Sequence, residues 1–111
     1  MLPKENRLPS PEIKSVMRTG RRVNAEGVQL IFTQNSLSVS RFAFVVPKSV
    51  DKRAVGRNRL KRLTRESVRL ALPSLAPGWD GVFMVRKGLG DEFASVNACV
   101  RDLLTRSKIL S

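Results

Sequence analysis

The sequence predicts one α+β domain over residues 1–111. Apolar residues recur at helical spacing in three segments, and between these segments they alternate or form short runs, as strands do. A hydrophobic content of 41% provides enough apolar side chains for one packed core without a metal or a disulfide. No internal repeat or second composition marks another domain, and residues 1–8 are predicted to be a flexible, unanchored basic arm.

Composition excludes most enzymatic chemistries. The chain has no histidine, so it can form neither a Ser-His nor a Cys-His nucleophile pair. Its nine carboxylates are scattered, and only Asp91 and Glu92 are adjacent, which does not suggest a metal site. With 21 Lys and Arg residues the formal net charge is +12, and the expected partner of such a charge is a polyanion. The chain is therefore predicted to contribute no catalytic residue of its own.

The chain lacks the sequence features of a membrane or secreted protein. No apolar run approaches the ~20 residues that a spanning helix needs, and the N-terminus has no apolar signal core. Cys99 is the only cysteine and cannot form an internal disulfide. A reducing compartment, the cytoplasm, is therefore expected, without contact to a membrane.

The first half of the chain predicts a helix followed by a pair of strands. The helix should begin with Ser10 as its N-cap and end with Gly20 as its C′ residue, with Ile13, Val16 and Met17 on its apolar side. One strand is predicted over 28–33 and another over 39–46, with turn residues at 34–36 between them. An antiparallel hairpin is the simplest arrangement of these two strands.

Residues 48–72 are the most informative segment, because nine of them are basic and only two are acidic. On a helical wheel, which advances about 100° per residue, the cations from Arg57 onwards lie on one side. The opposite, core-facing side is predicted to hold Leu60, Leu63, Ser67, Leu70 and Ala71. Arginine predominates, and its planar guanidinium suits bidentate contacts with phosphate. The segment therefore predicts an amphipathic helix, ending at Pro73, with a core face and an anion-binding face.

The last third of the chain predicts a strand and a final helix. Residues 82–85 form a short apolar run, typical of an inner strand, and lead directly into Arg86 and Lys87. If these two cations lie near the basic helix, they extend its surface. A last helix is predicted from about Asp91, with an apolar side formed by Phe93, Val96, Val100, Leu103 and Leu104.

The chain closely resembles the bacterial ribonuclease P protein component, above all in residues 54–66, AVGRNRLKRLTRE. That family carries an Arg-Asn-Arg signature, then an apolar residue, Lys-Arg and Arg-Glu, on a long helix after a Val-rich strand. Arg57 begins the same series here. Arg7-Leu8 with the first helix, residues 42–48 and residues 82–87 are also similar to parts of the family pattern.

The resemblance implies a fold and a division of labour. The fold would be a two-layer α/β sandwich resembling ribosomal protein S5 domain 2, in the order α-β-β-(β)-α-β-α with a left-handed βαβ crossover. The function would be that of the non-catalytic protein subunit of ribonuclease P, an endoribonuclease that removes the 5′ leader of precursor tRNA. The catalytic RNA subunit would perform the chemistry with bound magnesium. The partners would be that RNA and precursor tRNA, with no obligate protein partner.

The resemblance also implies two sets of site residues. The RNA contacts would be Arg57, Asn58, Arg59, Lys61, Arg62 and Arg65, joined by Lys48, Lys52, Arg53, Arg86 and Lys87. A leader cleft between the first helix and the sheet would be lined by Ile13, Met17 and Phe32. The family commonly has aromatic residues at the first two of these positions, and it usually has Ser-Lys-Lys where this chain has Pro47-Lys48-Ser49.

Two other functions fit the basic helix. A ribosomal or general RNA-binding protein could use the same helix without a leader cleft. A DNA-binding module could insert it into a major groove, but such modules usually show dimer symmetry or a turn-connected helix pair, and the sequence indicates neither.

Overall fold

The computed structural model describes residues 2–110, which form a four-stranded sheet and three α-helices. In chain order the elements are α1 (Ser10–Thr19), β1 (Arg21–Ala25), β2 (Val28–Gln34), β3 (Arg41–Val45), α2 (Ala54–Ala71), β4 (Trp79–Val85) and α3 (Phe93–Arg106). The predicted α+β fold is confirmed. The last helix begins two residues beyond Asp91, with Glu92 as its N-cap.

The sheet has the strand order β1-β2-β4-β3. The central strand β4 pairs antiparallel with β2 and parallel with β3, so β3, α2 and β4 form a βαβ unit. The predicted hairpin between the strands at 28–33 and 39–46 is therefore wrong, because β4 lies between them. Alternation of apolar residues indicates which face of a strand is buried, and it does not indicate which strand lies alongside.

The hairpin that the structure contains joins β1 to β2, and no apolar pattern in the sequence predicted β1. Its five residues pair from Arg21 opposite Phe32 to Ala25 opposite Val28. The connection turns at Gly27, whose φ of 83° favours glycine. A Cβ on Gly27 would lie 2.2 Å from the backbone nitrogen of Leu89, so this turn also packs closely against the loop after β4.

Side chains on the two faces of the sheet meet different helices. Helices α2 and α3 cover one face and enclose the larger core, which includes Leu30, Phe42, Phe83, Val68, Val96 and Leu103. Helix α1 covers part of the opposite face, where Val16 packs with Leu8, Ile31, Ala43 and Val82. Part of this second face, around Val45 and Met84, is only half-covered and borders α1.

Helix α2 is rotated relative to the predicted wheel. Val68 and Thr64 are fully buried, whereas Leu70, which was predicted to face the core, is 51% exposed. The buried side of the helix is therefore centred closer to its basic side than expected. Thr64 tolerates this burial because its hydroxyl donates to the carbonyl of Leu60 at 2.9 Å.

Both predicted ends of α1 differ from the structure. Pro9, rather than Ser10, is the N-cap, and its carbonyl accepts a hydrogen bond from the Glu12 N–H at 3.0 Å. Gly20 is the C-cap, but its φ of −75° is extended rather than left-handed. The chain passes directly from this extended residue into β1, so no left-handed turn is needed.

The N-terminal segment is anchored, and the prediction of an unanchored arm over 1–8 is wrong for residues 2–8. Leu2 is 1% exposed in the larger core, and Leu8 is 6% exposed beneath α1. The Leu8 N–H donates to the carbonyl of Phe42 at 2.9 Å, which fixes the segment beside β3. Met1 lies outside the described residues. Two buried leucines in an otherwise polar segment were the signal for this docking.

Candidate nucleic-acid interface

Helix α2 provides the first candidate surface, and the predicted contacts on it form two groups. On its outer side the exposed residues are Asn58, Arg59 and Arg62. At its border with the rest of the domain the half-buried residues are Arg57, Lys61 and Arg65. Glu66 is the only acidic residue of the helix, and hydrogen bonds from Arg69 lower the pKa of its carboxyl. Its charge is thus engaged by Arg69, and the remaining cations keep a strong positive field.

Two arginines of the signature are oriented by backbone carbonyls. Arg57 Nη1 donates to the carbonyls of Asp51 and Lys52, at 3.0 and 2.9 Å. Arg59 Nη2 donates to the carbonyl of Asp91 at 3.0 Å, which connects α2 to the loop before α3. A guanidinium has five N–H donors, so each of these side chains is held in place and still has donors for a phosphate.

The loop before α2 adds further exposed cations, namely Lys48, Lys52 and Arg53. The Asp51 carboxylate organises this loop, because it accepts hydrogen bonds from the Arg53 N–H at 2.9 Å and from the Arg53 guanidinium. These bonds lower the pKa of the Asp51 carboxyl. Arg53 and Arg59 border one depression together with Lys87. Lys87, which follows β4, therefore lies next to the cations of α2 and of the loop before it.

The second candidate surface is the cleft between α1 and the exposed part of the sheet. Ile13 and Met17 are half-buried along the side of α1 and pack against the same buried cluster as the half-buried Val45 and Met84 of the sheet. Both predicted residues of α1 thus contact the apolar floor while remaining accessible.

Phe32 does not lie in this cleft, although the family resemblance implied that it would. Its ring packs on the opposite face of the sheet, 5.7 Å from the ring of Trp79 and below the guanidinium of Arg21. Successive residues of a strand point to opposite faces, so the neighbour Ile31 is the residue of β2 that faces α1. Both residues are apolar, and the sequence alone did not distinguish their faces.

A hydrogen-bonded group at one end of the cleft was also missed. The buried amide of Gln29 accepts hydrogen bonds from Arg22 at 3.2 Å and from Arg86 at 3.0 Å. Arg22 also donates to the carbonyl of Met17 at 2.6 Å, so this group connects the sheet to α1. Arg86 therefore lies at this end of the cleft, and it also lines a depression together with Ser49, Val50 and Lys87. A buried glutamine within an apolar strand was the signal for this group.

Helix α1 is held over the sheet by an ionic network at the other end of the cleft. The Arg41 guanidinium lies 2.7 Å from a carboxylate oxygen of Glu12 and binds the buried Asp80 through two hydrogen bonds of 2.9 and 2.7 Å. Asn35 donates a further hydrogen bond to Asp80 at 2.8 Å. The bonds with Asp80 raise the pKa of Arg41. This network positions the helix that carries Ile13 and Met17.

Residues 2–110 contain no group of three or more His, Cys, Asp or Glu side chains that could hold a metal ion. Within the same range, no helix has the length and apolar character needed to cross a membrane.

The fold and the two surfaces define a basic α+β domain of the RNA-binding class, with a cationic helix on one side of its sheet and a cleft on the other. The family model described as Ribonuclease P matches residues 2–108. The chain belongs to this family.

Known relatives and solved structures agree with this assignment. The chain is 40% identical over 107 residues to the ribonuclease P protein component of Roseiflexus castenholzii, an alignment covering 94% of this chain and 87% of the relative. The RNase P protein from Thermotoga maritima superposes with a TM-score of 0.81 at 28% identity, covering 90% of this chain and 96% of that one. The RNase P protein from Staphylococcus aureus has the same fold, with a TM-score of 0.84 at 17% identity over 96% of this chain and 98% of that one.

Proposed function

We propose that this chain is the protein subunit of a cytoplasmic ribonuclease P and that it binds both the catalytic RNA and the 5′ leader of precursor tRNA. The observation that carries the proposal is the separation of two surfaces by one sheet. The cationic side of α2 lies with the α2–α3 layer, whereas the cleft beside α1 opens on the opposite face. One small domain can therefore bind two RNA elements at once.

The surface of α2 is assigned to the catalytic RNA. Its cations follow the helix axis, and Arg57 and Arg59 are held by carbonyls at its N-terminal half. Phosphate contacts of this kind position a protein on folded RNA without reading its sequence. The exposed cations of the preceding loop and Lys87 widen the same surface.

The cleft is assigned to the leader, which is single-stranded. Its apolar floor suits unstacked bases, and Arg22 and Arg86, held by Gln29, provide donors for phosphates at one end. Base stacking on an aromatic ring is worth about 1–3 kcal/mol per base, and Ile13 and Met17 do not provide it. Leader binding by this chain therefore depends more on van der Waals contact and on cations.

The chemistry of hydrolysis is assigned to the RNA subunit. Magnesium bound by that RNA would supply the activated water and stabilise the leaving oxygen, as metal ions do in phosphodiester cleavage. The side chains of this chain bind and orient the two RNAs. Membership of the ribonuclease P family favours this function over the ribosomal and DNA-binding alternatives.

A binding experiment with the assembled particle tests the proposal. The chain is combined with a bacterial ribonuclease P RNA, and the affinities for precursor tRNA and for mature tRNA are compared with those of the RNA alone. The protein should increase the affinity for the precursor and leave that for the mature tRNA nearly unchanged. A particle that does not form, or that binds both tRNAs equally, would refute the assignment.

A further inference from the structure

A groove separate from the cleft lies at the edge strand β3, between the N-terminal segment and α2. It has a volume of about 340 Å³ and is lined by Leu2, Arg7, Phe42, Phe44, Lys61 and Arg65. Side chains of β3 alternate between faces, so Phe42 and Phe44 face α2 whereas Ala43 and Val45 face α1. The groove and the cleft are thus on opposite faces of the sheet.

The charges of the groove are all positive. Three of its six lining residues are cations and none is a carboxylate. Lys61 and Arg65 lie one turn apart on α2 and are both half-buried. Among residues 2–110, neither has a side-chain hydrogen bond or an ion pair, whereas Arg69 and Arg106 on the helices do. Half-buried cations without a counter-charge favour an anionic ligand between them.

The apolar wall of the groove contains an aromatic ring that is already held in position. Phe44 stacks on Phe83 with ring centroids 5.6 Å apart and planes inclined by 7°. Phe83 is fully buried, and Phe44 is half-buried and contributes to the groove wall. A fixed aromatic ring beside two cations provides stacking for a base and charge for its phosphate.

We propose that this groove binds one unpaired nucleotide of single-stranded RNA, with the base on Phe44 and the phosphate between Lys61 and Arg65. The Arg7 guanidinium donates only its Nε to the described residues, to the carbonyl of Leu2, and its other donors complete the anion site. The inference rests on the proposed function for the identity of the RNA. Because α2 is the surface assigned to the catalytic RNA, the nucleotide belongs to an unpaired stretch of that RNA.

Photochemical crosslinking tests the groove without depending on ribonuclease P RNA. A short oligouridylate carrying 5-iodouridine is irradiated with the full-length chain, and the crosslinked residue is identified by mass spectrometry. Phe44 should carry the crosslink, and Phe44→Leu should lose it and bind the oligonucleotide about fivefold more weakly, the lower end of the effect of one stacked base. Phe93→Leu, a substitution of another half-buried phenylalanine outside the groove, should change neither result.

The cations are tested with the same oligonucleotide. Lys61→Gln combined with Arg65→Gln should lower the salt dependence of binding by about 1.4 units, because single-strand contacts contribute about 0.7 each. Arg101→Gln, an exposed cation on α3, serves as the control. A crosslink that persists in Phe44→Leu at unchanged affinity overturns the proposal. So does full competition by inorganic phosphate with no effect of Phe44→Leu, which would indicate a simple anion site. Either result leaves the proposed function to be decided by the assembled particle.

Discussion

The guanidinium of Arg41 on β3 lies 2.7 Å from the carboxylate of Glu12 on α1. The same guanidinium is bound to Asp80, whose side chain is only 8% exposed. One arginine therefore joins the edge strand β3, the central strand β4 and α1. Since α1 carries Ile13 and Met17, this arginine also fixes the position of these two side chains relative to the sheet.

Arg41→Met should destabilise the domain strongly. It would leave the buried Asp80 carboxylate with Asn35 as its remaining side-chain donor, and breaking a buried pair costs about 3–5 kcal/mol. Urea unfolding followed by the fluorescence of Trp79 measures the free energy. The matched control is Glu12→Gln, which removes the more exposed partner and should cost about 1 kcal/mol or less. Equal effects of the two substitutions would show that Asp80 does not need Arg41.

Gly56→Ala should be destabilising even though alanine is the better helix former. A Cβ on Gly56 would lie 1.9 Å from Asp51 Oδ2, so the carboxylate that organises the preceding loop would be displaced. In an Asp51→Ala background the obstacle is absent, and the same substitution should stabilise the chain by about 0.5–1 kcal/mol through helix propensity. Thermal unfolding of the unmodified chain, the two single variants and the double variant measures the effect of Gly56→Ala on stability in each background. A destabilising effect in both backgrounds would contradict the role given to Asp51.

The contact between Asp51 and Arg53 predicts a dependence on pH. Because the pKa of Asp51 is lowered in the folded chain, chiefly by the Arg53 side chain, its contribution to stability is complete above the ordinary aspartate pKa. The contribution is lost as the pH falls through the lowered value. A carbon-detected NMR titration should show the midpoint of Asp51 rising towards the ordinary range in Arg53→Gln. An unchanged midpoint would show that Arg53 does not cause the shift.

The outer cations of the α2 surface should carry much of the salt dependence of RNA binding. Replacing Lys52, Arg59 and Arg62 together with alanine should reduce the slope of log affinity against log salt by about two units, since each single-strand contact contributes about 0.7. The measurement is a filter-binding series at increasing salt. Arg101→Ala on α3 should leave the slope as it is. If the triple variant keeps the slope of the unmodified chain, these cations are only a solvated surface.

The leader cleft should be separable from assembly. Ile13→Asp with Met17→Asp places two negative charges where the anionic leader is proposed to lie, and it should weaken binding of precursor tRNA but not assembly with the RNA. Lys14→Asp on the same helix changes the net charge by the same amount at an exposed position and is the matched control. Circular dichroism establishes that both variants fold. A folded double variant that still discriminates precursor from mature tRNA would remove the leader from this cleft.

Parts of the fold that depend on strong local patterns could be predicted from the sequence. The apolar stripe of α3, the run in β4 and the basic side of α2 are each coded within one segment. The order of the strands in the sheet could not be predicted in this way, because β4 comes from a distant part of the chain and lies between β2 and β3. β1 has only one β-branched residue, Val23, and gave no strand signal of its own.

The candidate site could be predicted where a residue type carries its own signal. Arginines at helical spacing indicate an anion-binding helix, but the carbonyls that orient Arg57 and Arg59 come from other segments. The face of Phe32 depends on the exact register of β2, and one residue changes it. The groove at Phe44 unites the N-terminal segment, β3 and α2, and only their packing brings Arg7 near Lys61.

Cleavage of precursor tRNA at low magnesium concentration separates the role of the protein from that of the RNA. Three samples are compared, namely the chain alone, a bacterial ribonuclease P RNA alone, and the two together. The chain alone should be inactive at every magnesium concentration, because it has no histidine and no carboxylate cluster among residues 2–110. The combination should release the 5′ leader much faster than the RNA alone. Leader removal by the chain without RNA, or no acceleration by the combination, would contradict this division of roles between protein and RNA.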